Sequence, residues 1–160
     1  FGTGANESES YPAQLEKLAG RRVVREGVPG EVSATGLARL PAALDEHRPR
    51  LLLLCHGGND FLRKLDQATT SSNLDAMITL IRSHGADVVL VGVPKLGFGL
   101  QVPELYSQIA DQYTIPLQKE ILVDLLSDNS MKSDVIHPNA TGYRLMAEAI
   151  YDLINRAQKK

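Results

Sequence analysis

Apolar positions along the chain recur with two different periods. Leu74, Met77, Ile78 and Ile81 fall three and four apart, the spacing that lines one face of a helix, and the pattern stops at His84-Gly85. Leu145, Met146, Ala149, Ile150, Leu153 and Ile154 repeat that spacing over a longer reach and predict a C-terminal helix with a wide apolar stripe. Shorter helical patterns run over residues 10–18 (Leu15, Leu18, with Gly20 as the stop), through Leu105 and Ile109, and through Ile121, Leu122, Leu125 and Leu126. Leu37, Leu40 and Leu44 predict another helix, which Pro41 should make short or irregular. Other stretches are continuous rather than periodic. Leu51-Leu52-Leu53-Leu54-Cys55, between Pro49-Arg50 and Gly57-Gly58, suits a strand buried on both faces. Residues 87–93 hold four valines and predict the clearest strand; 115–117 suit a short one, and 22–28 have strand character.

Strands alternating with helices predict an α/β fold, a parallel sheet covered by helices. Ligands of such sheets bind beyond the carboxyl ends of the strands, so candidate chemistry belongs on the loops just after them. At 160 residues the chain suits one domain with one core. A net charge of −2 without a basic stripe supplies no electrostatic footprint for nucleic acid. No apolar run approaches the ~18 residues of a transmembrane segment. The single cysteine excludes an intramolecular disulfide.

Three loops carry candidate chemistry. Val28-Pro29-Gly30-Glu31-Val32-Ser33 comes after the first expected strand. Its glycine would let a backbone N–H approach a ligand, and a plain strand-to-helix turn explains it as well. Gly57-Gly58-Asn59-Asp60 comes after the leucine strand. Asn59 there is a neutral side-chain donor suited to a developing oxyanion, although glycines and Asn-Asp also mark ordinary turns. No His succeeds Asn59 and no Asp-x-His precedes it, which argues against a metallophosphoesterase motif. The third loop, Asp134-Val135-Ile136-His137-Pro138-Asn139, stands just before the last helix. His137 is a candidate general base with Asp134 to orient it; a helix-capping loop with an incidental histidine is the alternative. Asp-x-x-His supplies only two ligands, so no metal is expected. His47 and His84 read as surface residues, His56 as a packed or solvated neighbour of the Gly-Gly loop, and Cys55 as a small core residue.

Asp-x-x-His-Pro-Asn before a C-terminal helix, with Asn59 of the Gly-Gly-Asn-Asp loop 75 positions ahead of Asp134, resembles the SGNH (GDSL-type) hydrolase family. Gly36-Leu37-Ala38-Arg39-Leu40-Pro41 and 132–143 are similar to its arylesterase, acyl-CoA thioesterase I and lysophospholipase subgroup. The resemblance implies a three-layer α/β/α sandwich with a flavodoxin-like sheet, no cofactor, and ester or thioester hydrolysis through an acyl-serine. His137 would be the base, Asp134 its partner, and Gly30 and Asn59 the oxyanion donors. The loops 61–66 and 94–100, with Phe61, Leu62, Leu96 and Phe98, would shape the acyl pocket. A small ester or thioester would be the partner molecule; a carbohydrate O-acetylesterase or a non-catalytic ligand-binding module are the alternatives. The resemblance sets no oligomeric state, and family habit favours a periplasmic or secreted location. The family's Gly-Asp-Ser motif does not occur, and Phe1-Gly2-Thr3-Gly4-Ala5 resembles the residues immediately downstream of that serine. The nucleophile and a first central strand, between 22–28 and 51–55, are therefore expected upstream of Phe1, with residues 1–160 alone inactive.

Overall fold

The computed structural model describes residues 2–97 and 99–159, and its contacts group them into two compact units. One is Gly30–Lys119; the other joins the stretches 1–29 and 120–160.

The unit Gly30–Lys119 is the α/β part. Three parallel strands, β1 (Leu51–Leu54), β2 (Asp87–Val91) and β3 (Leu117–Gln118), lie in the order β1-β2-β3. Leu51 pairs with Asp87 and Leu90 with Leu117. Helix α2 (Ser33–His47) leads into β1; α3 (Gly58–Leu62) and α4 (Gln67–Ser83) connect β1 to β2, and α5 (Leu105–Tyr113) leads to β3. The 3.6-residue pattern of α4 delivers Leu74, Met77, Ile78 and Ile81 to the core, where they meet Leu44, Val88, Leu90 and Tyr106. Val89 and Val91, on the other face of β2, are buried too, as a valine-rich parallel strand demands.

Three expectations need correction here. Helix α2 runs 15 residues straight through Pro41, because Leu37, Leu40 and Leu44 keep its apolar face packed across the lost hydrogen bond. Among the described residues β1 pairs on one side only, with β2; Leu51, Leu52 and Leu53 are half-buried and only Leu54 is fully covered, the unpaired side being the one on which the resemblance sets a further strand. Cys55 is likewise exposed rather than a core residue.

The other unit is helical among its described residues. It contains α1 (Tyr11–Ala19), α6 (Ile121–Ser127) and α7 (Ala140–Ala157), with a 3-10 turn at Asn129–Met131. Leu15 of α1 packs on α7, whose Tyr143, Met146, Ala147 and Ile150 form the buried stripe. The Tyr143 hydroxyl donates to the Thr3 carbonyl at 2.8 Å. Gly20 ends α1 in the left-handed conformation. The expected strand over residues 22–28 does not form. Arg22, Arg25 and Glu26 make it strongly charged, and side chains hold it instead: Val23 N–H donates to Glu16 and Arg25 pairs with Glu7, each at 2.7 Å. Strand propensity without a ladder partner yields no strand. No helix among the described residues is long and apolar enough to cross a membrane.

Candidate active site

Helix α7 begins at Asn139, whose side chain accepts the Gly142 N–H at 3.0 Å and whose amide donates to Ser130 O at 2.8 Å. Gly142 has to be glycine: a Cβ there would stand 2.5 Å from the Met131 carbonyl oxygen. These contacts fix the loop that precedes the helix. Ser133 N–H donates to His137 O at 2.9 Å, closing a five-residue turn. Within it Asp134 Oδ1 accepts the N–H groups of Ile136 (2.8 Å) and His137 (2.9 Å), and Oδ2 lies 2.7 Å from His137 Nδ1.

A carboxylate only accepts, so Nδ1 carries the hydrogen and a neutral His137 keeps its lone pair on Nε2. The ring is one-third exposed. The His137 hydrogen bond, aided by the Ile136 N–H, holds the Asp134 carboxyl below its ordinary range. Asp134 is thus the charged, orienting member at neutral pH. Gly4 sits against the same loop, where a Cβ would run into the Ser133 hydroxyl and lie 3.2 Å from Pro138 O.

The Gly30–Lys119 unit assembles the other candidates. Gly30 takes a positive φ of 74° and is exposed, and its carbonyl accepts an Arg63 N–H at 2.8 Å. Asn59 Nδ2 donates to the carbonyl of Glu31, the next residue, at 3.0 Å. One of its two amide hydrogens is so employed. Asn59 is thereby held to the residue directly after Gly30. Gly57, at φ 103°, makes the turn into α3, and a Cβ there would meet the Tyr106 hydroxyl at 2.6 Å. Phe61 belongs to the core, its ring edge-on to Tyr106, whereas Leu62 and Leu96 are exposed; Phe98 lies outside the described residues.

Two groups escaped sequence reasoning. Asp60, 2% exposed, accepts the Ser33 N–H (2.8 Å) and hydroxyl (2.5 Å) and welds the Gly30 loop to the Gly57 loop; Asn73 donates to Ser33 Oγ at 2.9 Å. Glu31 is gripped by Arg39 at 2.6 and 3.0 Å and faces His56 Nε2 at 3.3 Å. The Arg39 bond is the main reason its carboxyl sits below the usual value, against the opposing effect of burial. The acidic residue directly after each loop glycine or asparagine was the available signal. Among the described residues no cluster of three or more His, Cys, Asp or Glu could hold a metal ion.

An imidazole with its outer nitrogen free and its inner one on a carboxylate is built to take a proton from a hydroxyl. The class of protein is therefore an ester hydrolase. Residues 1–145 match the GDSL-like lipase/acylhydrolase family, and the chain belongs to that family. It is 32% identical over 160 residues to Esterase TesA of Pseudomonas aeruginosa, covering 92% of this chain and 79% of the relative. It is 31% identical over 144 residues to an arylesterase of Vibrio mimicus (86% and 72% covered). It is 30% identical over 149 residues to thioesterase 1/protease 1/lysophospholipase L1 of Escherichia coli K12 (88% and 72%). A crystal structure of TesA superposes with a TM-score of 0.84 at 30% identity, covering 95% of this chain and 91% of that one. The reaction class is hydrolysis of esters or thioesters.

Proposed function

We propose that the chain supplies the base and the oxyanion donors of an acyl-serine hydrolase. The observation that carries this reading is the Asp134–His137 pair, 2.7 Å apart, with Nε2 unengaged by the carboxylate. Gly4, pressed against Ser133 and Pro138, sets the segment that resembles the residues after the family's serine against the loop that holds the base, which supports the reading. In the proposed reaction His137 Nε2 takes the serine proton as Oγ attacks the ester carbonyl. Asp134 steadies the imidazolium, and Gly30 N–H and Asn59 Nδ2 donate to the tetrahedral oxyanion. His137 then gives its proton to the leaving alcohol or thiol, and water, activated by the same nitrogen, releases the acid.

Exposed Leu62 and Leu96 favour an apolar acyl group over a charged one. Each methylene they cover should improve binding by about 0.8 kcal/mol, roughly fourfold. The test is hydrolysis of p-nitrophenyl esters from acetyl to octanoyl by the intact enzyme. His137→Ala should abolish nearly all turnover, and Asn59→Ala should lower kcat about 10²–10³-fold with a smaller change in KM. Full activity of His137→Ala would sink the assignment of the base. A flat response to chain length would sink the apolar pocket.

A further inference from the structure

Asn59 can present an amide hydrogen to an oxyanion only if its side chain is held still, and the atom that holds it is the Glu31 carbonyl. What holds Glu31 is its own carboxylate, 6% exposed, between Arg39 of α2 and His56 at the end of β1. His56 does more than meet Glu31. Its Nδ1 lies 3.1 Å from the Gly57 nitrogen and accepts that N–H, so Nδ1 carries no hydrogen. The hydrogen of the neutral ring is therefore on Nε2, the atom that faces Glu31 at 3.3 Å.

The surroundings are cut to fit this ring. Gly36 lies inside α2, a position where alanine would favour the helix, yet a Cβ there would run into His56 Nε2. The Tyr106 hydroxyl donates to the His56 carbonyl at 2.6 Å, and Gly57 is bare where a Cβ would strike that hydroxyl. The imidazole is thus a strut with one end on the loop carrying Asn59 and the other on the residue after Gly30.

We infer that His56 is a positioning residue of the oxyanion site: as the Nε2–H tautomer it links the Gly57 backbone to Glu31 and so sets the Asn59 amide against the Glu31 carbonyl. This rests on the ester-hydrolase reading above. A small displacement of such a donor is enough to slow a reaction severalfold while leaving ground-state binding nearly unchanged.

Two substitutions separate the strut from simple packing. In His56→Gln the amide Nε2 reaches about as far as the imidazole Nε2 and can still donate to Glu31. His56→Asn keeps an acceptor for the Gly57 N–H and stops short of Glu31. With a p-nitrophenyl ester and the intact enzyme, His56→Asn should lower kcat on the order of tenfold with KM within about twofold, whereas His56→Gln should stay within about threefold of wild type. The Asn59 side-chain amide resonances should move in His56→Asn and hold in His56→Gln. Equal losses in the two variants, or none in either, would overturn the inference. Should a variant fail to fold, the ¹⁵N imidazole spectrum of the wild-type protein decides: it should show the His56 hydrogen on Nε2 with Nδ1 as the acceptor, and a hydrogen on Nδ1 would overturn the proposal. An inactive wild-type enzyme would instead count against the ester-hydrolase reading, and the two spectroscopic tests would still report on His56 itself.

Discussion

Replacing Asp60 by alanine should be among the most damaging single changes in the Gly30–Lys119 unit. The carboxylate is 2% exposed and accepts from the Ser33 N–H at 2.8 Å, the Ser33 hydroxyl at 2.5 Å and the Thr70 hydroxyl at 3.4 Å. Hydrogen bonds to a charged acceptor contribute about 1.5–3 kcal/mol each, and a buried donor left without a partner costs about 1–3 kcal/mol. Relief of the desolvation of the carboxylate offsets part of this, so a net loss of about 3–4 kcal/mol is expected. At about 2–4 °C per kcal/mol for a chain of this size, Tm should fall by roughly 6–16 °C. Ser33→Ala retains the backbone N–H bond to Asp60 and should lose about half as much. Urea unfolding monitored by circular dichroism gives the free energy, provided the m-value stays unchanged. A loss below about 1 kcal/mol for Asp60→Ala would refute the reasoning, because it would mean that the buried carboxylate contributes no more than an exposed one.

Gly36→Ala should destabilise by about 1–3 kcal/mol through overpacking against His56, although the same change in an open helix stabilises by about 1 kcal/mol; a stabilised Gly36→Ala protein would contradict the clash with the imidazole. Asp134 should titrate below the ordinary value of about 3.9, and His137→Ala should raise its midpoint, since the His137 bond is the leading cause of the shift. Because the folded value is the lower one, the stabilising contribution of Asp134 is fully present above the unfolded value and disappears as the pH falls through the folded one, which carboxyl ¹³C titration would check.

Much of the local structure is readable from spacing alone. The α4 stripe and the valine-rich β2 arise from a period of 3.6 and from an apolar run, which are properties of a few neighbouring residues; in α7 the pattern gave Met146 and Ile150, while Leu145, Ala149, Leu153 and Ile154 are half-buried and Tyr143 and Ala147 complete the buried stripe. The Asp134–His137 pair is readable for the same reason: three positions apart in a tight turn, the two side chains meet without help from the rest of the chain. Features that depend on a distant partner are not readable. Residues 22–28 and the apolar run at 51–54 have the composition of strands, but a strand forms only where a ladder partner is present: β1 finds one in β2, and 22–28 finds none among the described residues. Phe61 has the character of a pocket wall and belongs to the core because Tyr106, 45 positions later, offers it a ring edge. The weld between Asp60 and Ser33 and the strut from His56 to Glu31 join residues 27 and 25 positions apart. A sequence determines which groups a chain carries and which short-range geometries they prefer. Whether a buried carboxylate finds its donors, and whether a glycine is needed to let an imidazole pass, depends on where folding delivers the other partner. Only the tertiary structure decides that.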